Sequence, residues 1–348
     1  MLQSLACFFD LVWLEFHIPI LRKLSTISHF VNHIIETMKH QFSQCLNVSR
    51  TVVYAIGGNA LSSPEGDLEH ESALVLAKVM SDVIDLLEAG WKVILTHGNG
   101  PQVGHLMSLD ASLPMDEWVA ATQGMIGHSL SINLDSILLR RSRPESTAVV
   151  LTRVEVSPTD DAFAFPTKPV GPVLSDKQVM SEDWDIAQTV NGPRRVVASP
   201  KPLRILDLEV IRSLIDKSAI VICCGGGGIP VVKKGDYYSG VPAVIDKDRL
   251  SSLLAIEMGV DALIISTAID AVRTGFGTEH EEIHSELSVQ QAQNYLNQGE
   301  FPAGSMGPKI VSLIEFAKSR TGVKSALCQP GEALKALRGD GGTIISVG

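Results

Sequence analysis

Cysteine is scarce in this sequence, and none of it is spaced to staple the chain or to hold a metal. The five cysteines are Cys7, Cys45, Cys223, Cys224 and Cys328, with no C-x-x-C among them. Two of them fall inside an apolar run, where cysteine behaves as a small hydrophobe. That usage points to a reducing compartment, the cytoplasm, and to no structural metal. Positive charge is also short: 29 Lys and Arg stand against 39 Asp and Glu, a formal net charge of -10. This balance disfavours nucleic acid or an anionic membrane as a partner, so a bound phosphate would depend on local cations and backbone amides. Long apolar runs are missing. The nearest approach, Leu5–Leu21, is broken by Asp10, Glu15 and Pro19 and has no basic start, so it fits neither a membrane span nor an export signal. No G-x-x-x-x-G-K-[ST] occurs, which excludes a P-loop enzyme, and no G-x-G-x-x-G, which removes a nicotinamide dinucleotide. There is no internal repeat or low-complexity tract.

What remains is an ordinary soluble composition, 348 residues with 45% hydrophobic and 20% charged content, organised around one stretch. Ala219–Cys224 is an apolar run that reads as a strand buried on both faces, and it opens onto Gly225, Gly226, Gly227 and Gly228. Successive glycine amides at a strand end can curl into an anion-binding nest. The arrangement recurs. Val52–Ile56 runs into Gly57, Gly58 and Asn59, and Val93–Thr96 runs into His97, Gly98, Asn99 and Gly100. Three such loops predict one crevice at the carboxyl ends of a parallel sheet. His97, alone at its strand end, reads more readily as a structural hydrogen-bonding group than as a base.

Between these strands the chain alternates. Helices are predicted over Glu71–Glu88, Gln102–Leu109, Thr122–Leu139, Leu206–Lys217, Lys247–Met258, Val289–Asn297 and Lys309–Ser319, and strands over Trp91–Thr96, Ala148–Val156, Ala262–Thr267, Val323–Leu327 and Thr343–Val347. Ser157–Pro202 breaks the pattern with seven prolines and reads as an inserted subdomain or lid. Residues 1–50 read as an N-terminal extension, partly helical, because Leu21, Leu24, Ile27, Val31, Ile34 and Ile35 recur at helical spacing. The remaining domain is 51–348.

Charge meets the glycine loops twice. In Asp246-Lys247-Asp248 an acid suited to an N-cap precedes a lysine in the first helical turn, where the dipole disfavours a cation unless an anion is near. In Gly304-Ser305-Met306-Gly307-Pro308-Lys309 a proline again precedes a first-turn lysine. Two lysines beside amide nests are what a charge-dispersed phosphoryl transition state requires.

Gly57–Leu61, Thr96–Gly104, Thr122–Gly127, Pro166–Pro169, Arg194–Pro200, Gly225–Pro230, Ile245–Asp248 and Gly304–Lys309, taken in order, resemble the carbamate kinases of the amino acid kinase superfamily. The resemblance runs from about residue 51 to 347. It implies an α/β fold, a three-layer αβα sandwich around a mainly parallel sheet of about eight strands with a small protruding subdomain, and a homodimer. It implies reversible phosphoryl transfer between ATP and carbamate to give ADP and carbamoyl phosphate, with Mg2+, often run toward ATP in arginine or ureide catabolism. It also places Lys168 over the reacting groups and Thr267, Asp270, Met306 and Gly307 on the nucleotide side. The family's Thr-Asp-Val-Asp-x-Val-Tyr is here Thr267-Ala268-Ile269-Asp270-Ala271-Val272-Arg273, short of one acid and a tyrosine. Two rivals remain: an amino acid kinase acting on another carboxylate, and a paralogue that binds carbamoyl phosphate or nucleotide with little catalysis.

Every quoted motif lies beyond residue 50, so deletion of residues 1–48 is expected to leave turnover within about threefold. A truncated protein that folds yet has lost its turnover contradicts this.

Overall fold

The computed structural model describes residues 50–58, 68–109, 113–181, 184–189, 192–217, 219–302 and 304–348. Residues 1–49 of the expected extension, and Asn59, lie outside the described residues. Eight strands form the central sheet: β1 (Arg50–Ile56), β2 (Trp91–His97), β3 (Ser146–Val149), β4 (Ala219–Ile222), β5 (Ala262–Ser266), β6 (Glu286–Ser288), β7 (Lys324–Cys328) and β8 (Thr343–Ser346). Their spatial order is β6-β8-β7-β5-β1-β2-β4-β3. All pairs are parallel except β7 with β8.

The three layers follow from two-residue alternation along strands buried on both sides. In β1, Val53 and Ala55 face helices Leu208–Asp216, Lys247–Met258, Val289–Gln298 and Met306–Ser319. Val52, Tyr54 and Ile56 face helices Leu68–Glu88, Met115–Arg140 and Ala333–Arg338. One buried polar junction ties the second face together. Tyr54 Oη donates to Asp82 Oδ2 at 2.6 Å, and the same carboxylate accepts the amides of Gly331 at 2.7 Å and Ala333 at 3.0 Å. It thereby pins the loop after β7 to the first strand.

The single strand expected over Ala148–Val156 is instead two strands in different sheets. Ser146–Val149 closes the edge of the main sheet, whereas Arg153–Val156 belongs to a four-stranded sheet with Ile229–Lys234, Tyr237–Gly240 and Pro202–Ile205. The cause is the amide of Gln123, which fills the gap between the two. Its Oε1 accepts from Thr152 N at 2.8 Å and its Nε2 donates to Gly225 O at 2.9 Å. Backbone groups that a continuous strand would have paired are satisfied by side chains, Thr152 N by Gln123 and Val150 O by the Thr152 hydroxyl at 2.9 Å.

The Pro-rich segment leaves and returns through neighbouring strands, with Val154 opposite Ile205 and Val156 opposite Pro202. Inside it, Lys168–Pro169 and Ile186–Thr189 flank Gly192–Val197 in a three-stranded sheet. No helix among the described residues is long and apolar enough to cross a membrane.

Candidate active site

A cavity of about 550 Å³ opens at the carboxyl ends of the parallel strands. Gly57 and Gly58 enter it from β1, Gly98 and Asn99 from β2, Ser266, Thr267 and Ala268 from β5, and Gln329 and Pro330 from β7. The expected convergence of strand-end loops is therefore observed for β1 and β2. They approach so closely that a Cβ on Gly98 would lie 2.7 Å from Gly58 Cα. Asn99 is buried, and its amide donates to Thr122 Oγ1 at 2.9 Å.

The Ala219–Cys224 loop differs from expectation. The strand ends at Ile222, and Cys224 takes a left-handed φ of 55°. Of the next three glycines only Gly226 lines the cavity, at a φ of 62° and against the Asn99 amide, which a Cβ would strike at 2.1 Å. Gly225 packs on His97, and Gly227 on the Ile245 carbonyl. Two members of the presumed nest are there because nothing larger fits.

The charged groups come from helix starts and from the Pro-rich segment. Asp246 caps helix Lys247–Met258, its Oδ1 accepting from Asp248 N at 2.9 Å and Arg249 N at 3.3 Å. Its Oδ2 takes Lys168 Nζ at 2.6 Å. Asp248, only 3% exposed, holds the other two lysines, with Lys247 Nζ 2.7 Å from Oδ1 and Lys309 Nζ 2.8 Å from Oδ2. Lys168, Asp246, Lys247 and Lys309, distant in sequence, thus share one wall. The expected N-cap Asp246 also orients Lys168, while Asp248, the second acid of the triplet, orients Lys247 and Lys309. The signal was the acid-base-acid triplet at a helix start.

Burial and pairing pull these groups in opposite directions. Burial would raise the Asp248 carboxyl, yet the two ammonium groups overcome it and hold it well below the usual carboxylate range. Asp246 is likewise lowered, burial being outweighed by Lys168. Burial lowers Lys247 despite Asp248, whereas Lys309, for which Asp248 outweighs burial, is raised. Arg194 joins these groups from the Pro-rich segment. It lines the cavity, donates from Nη2 to Gly171 O at 2.5 Å, and keeps a buried Nε with no hydrogen-bond partner in the protein.

Other expected residues stand away from the cavity wall. Met306 and Gly307 form the first turn of their helix, with Gly307 packed on the Pro302 and Phe301 carbonyls, while Gly304, Ser305 and Lys309 line the cavity. Asp270 does not line it; both its oxygens accept from Arg273 at 2.9 Å, and Arg273 also pairs with Glu281. The arginine standing where the family has a tyrosine thus draws Asp270 into a surface cluster.

A strand-end crevice in an open α/β sheet, lined by Lys78, Lys168, Arg194, Lys247 and Lys309 against Asp246 and Asp248, is of the kind that binds phosphoryl groups. Comparison with known proteins gives that class a family. The profile of the amino acid kinase family matches residues 50–326, and the chain belongs to that family. It is 39% identical over 313 residues to the carbamate kinase-like protein YqeA of Escherichia coli, covering 86% of this chain and 99% of that one. It is 39% identical over 310 residues to the carbamate kinase of Halobacterium salinarum, covering 86% and 98%. Among solved structures, carbamate kinase from Giardia lamblia bound to AMP-PNP superposes with a TM-score of 0.76 at 34% identity, over 86% of this chain and 99% of that one.

His97 is buried, does not line the cavity, and has Nδ1 3.0 Å from Gly98 O. A carbonyl only accepts, so Nδ1 carries the proton. Burial moves its pKa from 6.5 to about 4, the Gly98 bond opposing this and Lys247 adding to it. Because the folded value is depressed, its stabilising effect is complete above about pH 6.5 and falls as pH drops through about 4, by roughly 3 kcal/mol in all. Urea unfolding of His97→Gln beside the parent should show a flatter pH profile over that window. Parallel profiles contradict a buried neutral imidazole.

Proposed function

We propose that this chain is a carbamate kinase, transferring a phosphoryl group reversibly between ATP and carbamate to give ADP and carbamoyl phosphate. The observation that carries the reading is the set of three ammonium groups held by Asp246 and Asp248 opposite the Gly57-Gly58 and Gly98-Asn99 loops. Carbamate already bears its nucleophilic oxygen as an anion, so no general base is required, in keeping with the position of His97 outside the cavity. The work is to hold two anions in line and disperse charge on the group in transit. Lys247 and Lys309 serve the phosphoryl oxygens, and Lys168 with Arg194 covers them from the Ser157–Pro202 segment, which we take as the lid. Of the loop amides expected to face carbamate and the terminal phosphate, those of Gly57 and Gly98 are spent on Ser266 O at 3.0 Å and Ile56 O at 3.1 Å, so these glycines serve by allowing close approach, and the Asn99 amide is the donor assigned to the anion. Mg2+ enters as the nucleotide's counter-ion: Asp246 and Asp248 are engaged by lysines, and no cluster of three acidic, His or Cys residues among the described ones could hold an ion. The cysteines described, Cys223, Cys224 and Cys328, are free and buried, which suits a cytoplasmic setting.

A second reading, a paralogue with little catalysis, is favoured by one observation, the engagement of Asp270 by Arg273 where a nucleotide contact was expected. ATP formation from ADP and carbamoyl phosphate separates the two. In that assay Lys247→Met and Lys309→Met should each lose turnover by about a hundredfold or more, roughly 3 kcal/mol per donor, with the fold intact. The double variant should lose less than the product, since both lysines serve one group. Near-full turnover in either single variant would move the site elsewhere.

The chain is also proposed to act as a homodimer. Met125, Ile132 and Leu139 are exposed at intervals of seven along helix Met115–Arg140, Leu139 at 81%, beside exposed Val149 and Leu151 at the β3 edge. A second copy would cover this stripe. Sedimentation should give twice the 37.4 kDa chain mass for the parent and the single mass for Ile132→Asp/Leu139→Asp. A parent that sediments as a monomer overturns the assignment.

A further inference from the structure

Gly104 sits in the second turn of helix Gly100–Leu109 and does not line the cavity, yet it governs how two parts of the cavity meet. A Cβ on it would lie 2.0 Å from Gly171 Cα and 2.1 Å from Gly171 N. The helix and the Pro-rich segment therefore touch backbone to backbone, at a separation that any other residue at 104 would prevent. Both sides are anchored by their neighbours. Val103 and Val170, the neighbours of the two glycines, are both buried in one apolar cluster with Val119 and Val244. Gly171 has a φ of +71°, and its carbonyl accepts from Arg194. Val170 N is held on Arg195 O at 3.0 Å.

Both ends of this contact lead to the site. Upstream of Gly171 by three residues is Lys168, paired with Asp246. At the other end, the helix starts directly after Gly98 and Asn99, with Val103 N donating to Asn99 O at 2.8 Å. One rigid turn thus carries the glycine loop at its start and the seat of the Pro-rich segment on its side.

We propose that Gly104 is a positioning residue: its contact with Gly171 sets how far Lys168 and Arg194 reach over the Gly58 and Gly98 loops, so the small size of residue 104 is a requirement of phosphoryl transfer. An added methyl group must displace Gly171 by about 1 Å, and misplacement on that scale is enough to cost up to about a hundredfold in rate. The displacement acts through Lys168, so the two residues should not contribute independently.

This inference rests on the kinase reading, and the test keeps the two apart. ATP formation from ADP and carbamoyl phosphate is measured for the parent, Gly104→Ala, Lys168→Ala and the double variant, with amide hydrogen exchange on the parent and Gly104→Ala. The expected result is a loss of at least about tenfold for each single variant, with Lys168→Ala costing less than about threefold more once Gly104→Ala is present. Exchange at Lys168 and Val170, whose amides are in the pairing with Arg195 and Val197, should quicken in Gly104→Ala while the central strands stay protected. Gly104→Ala within threefold of the parent, or a full additional loss from Lys168→Ala, overturns the proposal. A parent that forms no ATP strikes the kinase reading alone, and unchanged exchange at those two amides then overturns the seat. Should Gly104→Ala not fold, Val170→Ala loosens the same seat and is held to the same non-additivity.

Discussion

Two ammonium groups share one buried carboxylate, and much of the site follows from that. Asp248 meets Lys247 on one oxygen and Lys309 on the other, and all three side chains are largely out of water. Removing charges from water costs several kcal/mol each, and a lone pair rarely recovers it. Here three lysines face two carboxylates, so an excess of positive charge is left for an incoming anion to meet. The arrangement is stabilised by the fold before ligand arrives, which is the condition for electrostatic preorganisation.

Sheet topology supplies that condition. Because the strands bearing the loops are parallel, their carboxyl ends lie on one edge, and the helix that opens with Asp246 starts at the same edge. The Asp246 side chain does two things at once. As an N-cap it satisfies the amides of Asp248 and Arg249, and with its other oxygen it receives Lys168 from a separate segment. A helix terminus thereby becomes the landing point of the Pro-rich segment.

Much of this was legible in the chain. Buried β-branched runs ending in Gly and Asn announced the sheet, its crevice and the loops at Gly57, Gly58, Gly98 and Asn99, and the acid-base-acid triplet announced a charged helix start. Less legible was why a glycine stands where it does. Gly225 and Gly227 look like Gly226 in sequence, but they answer to packing against His97 and Ile245, contacts more than a hundred and about twenty residues away in the chain. The division of labour between Asp246 and Asp248 was hidden for the same reason, since it depends on which lysine each faces across the fold. The broken strand at Val150–Thr152 was hidden because an apolar run carries no mark of a side chain arriving from Gln123.

That glutamine has a further consequence. At the gap between the large sheet and the smaller one, a primary amide accepts from one backbone and donates to another, beside the bond from Cys224 N to Thr152 Oγ1 at 2.9 Å. Neither a carboxylate nor an apolar isostere can do both. The neck between the two sheets is thus held by hydrogen bonds of set polarity, and a change at Gln123 is felt at Thr152 and Gly225 together.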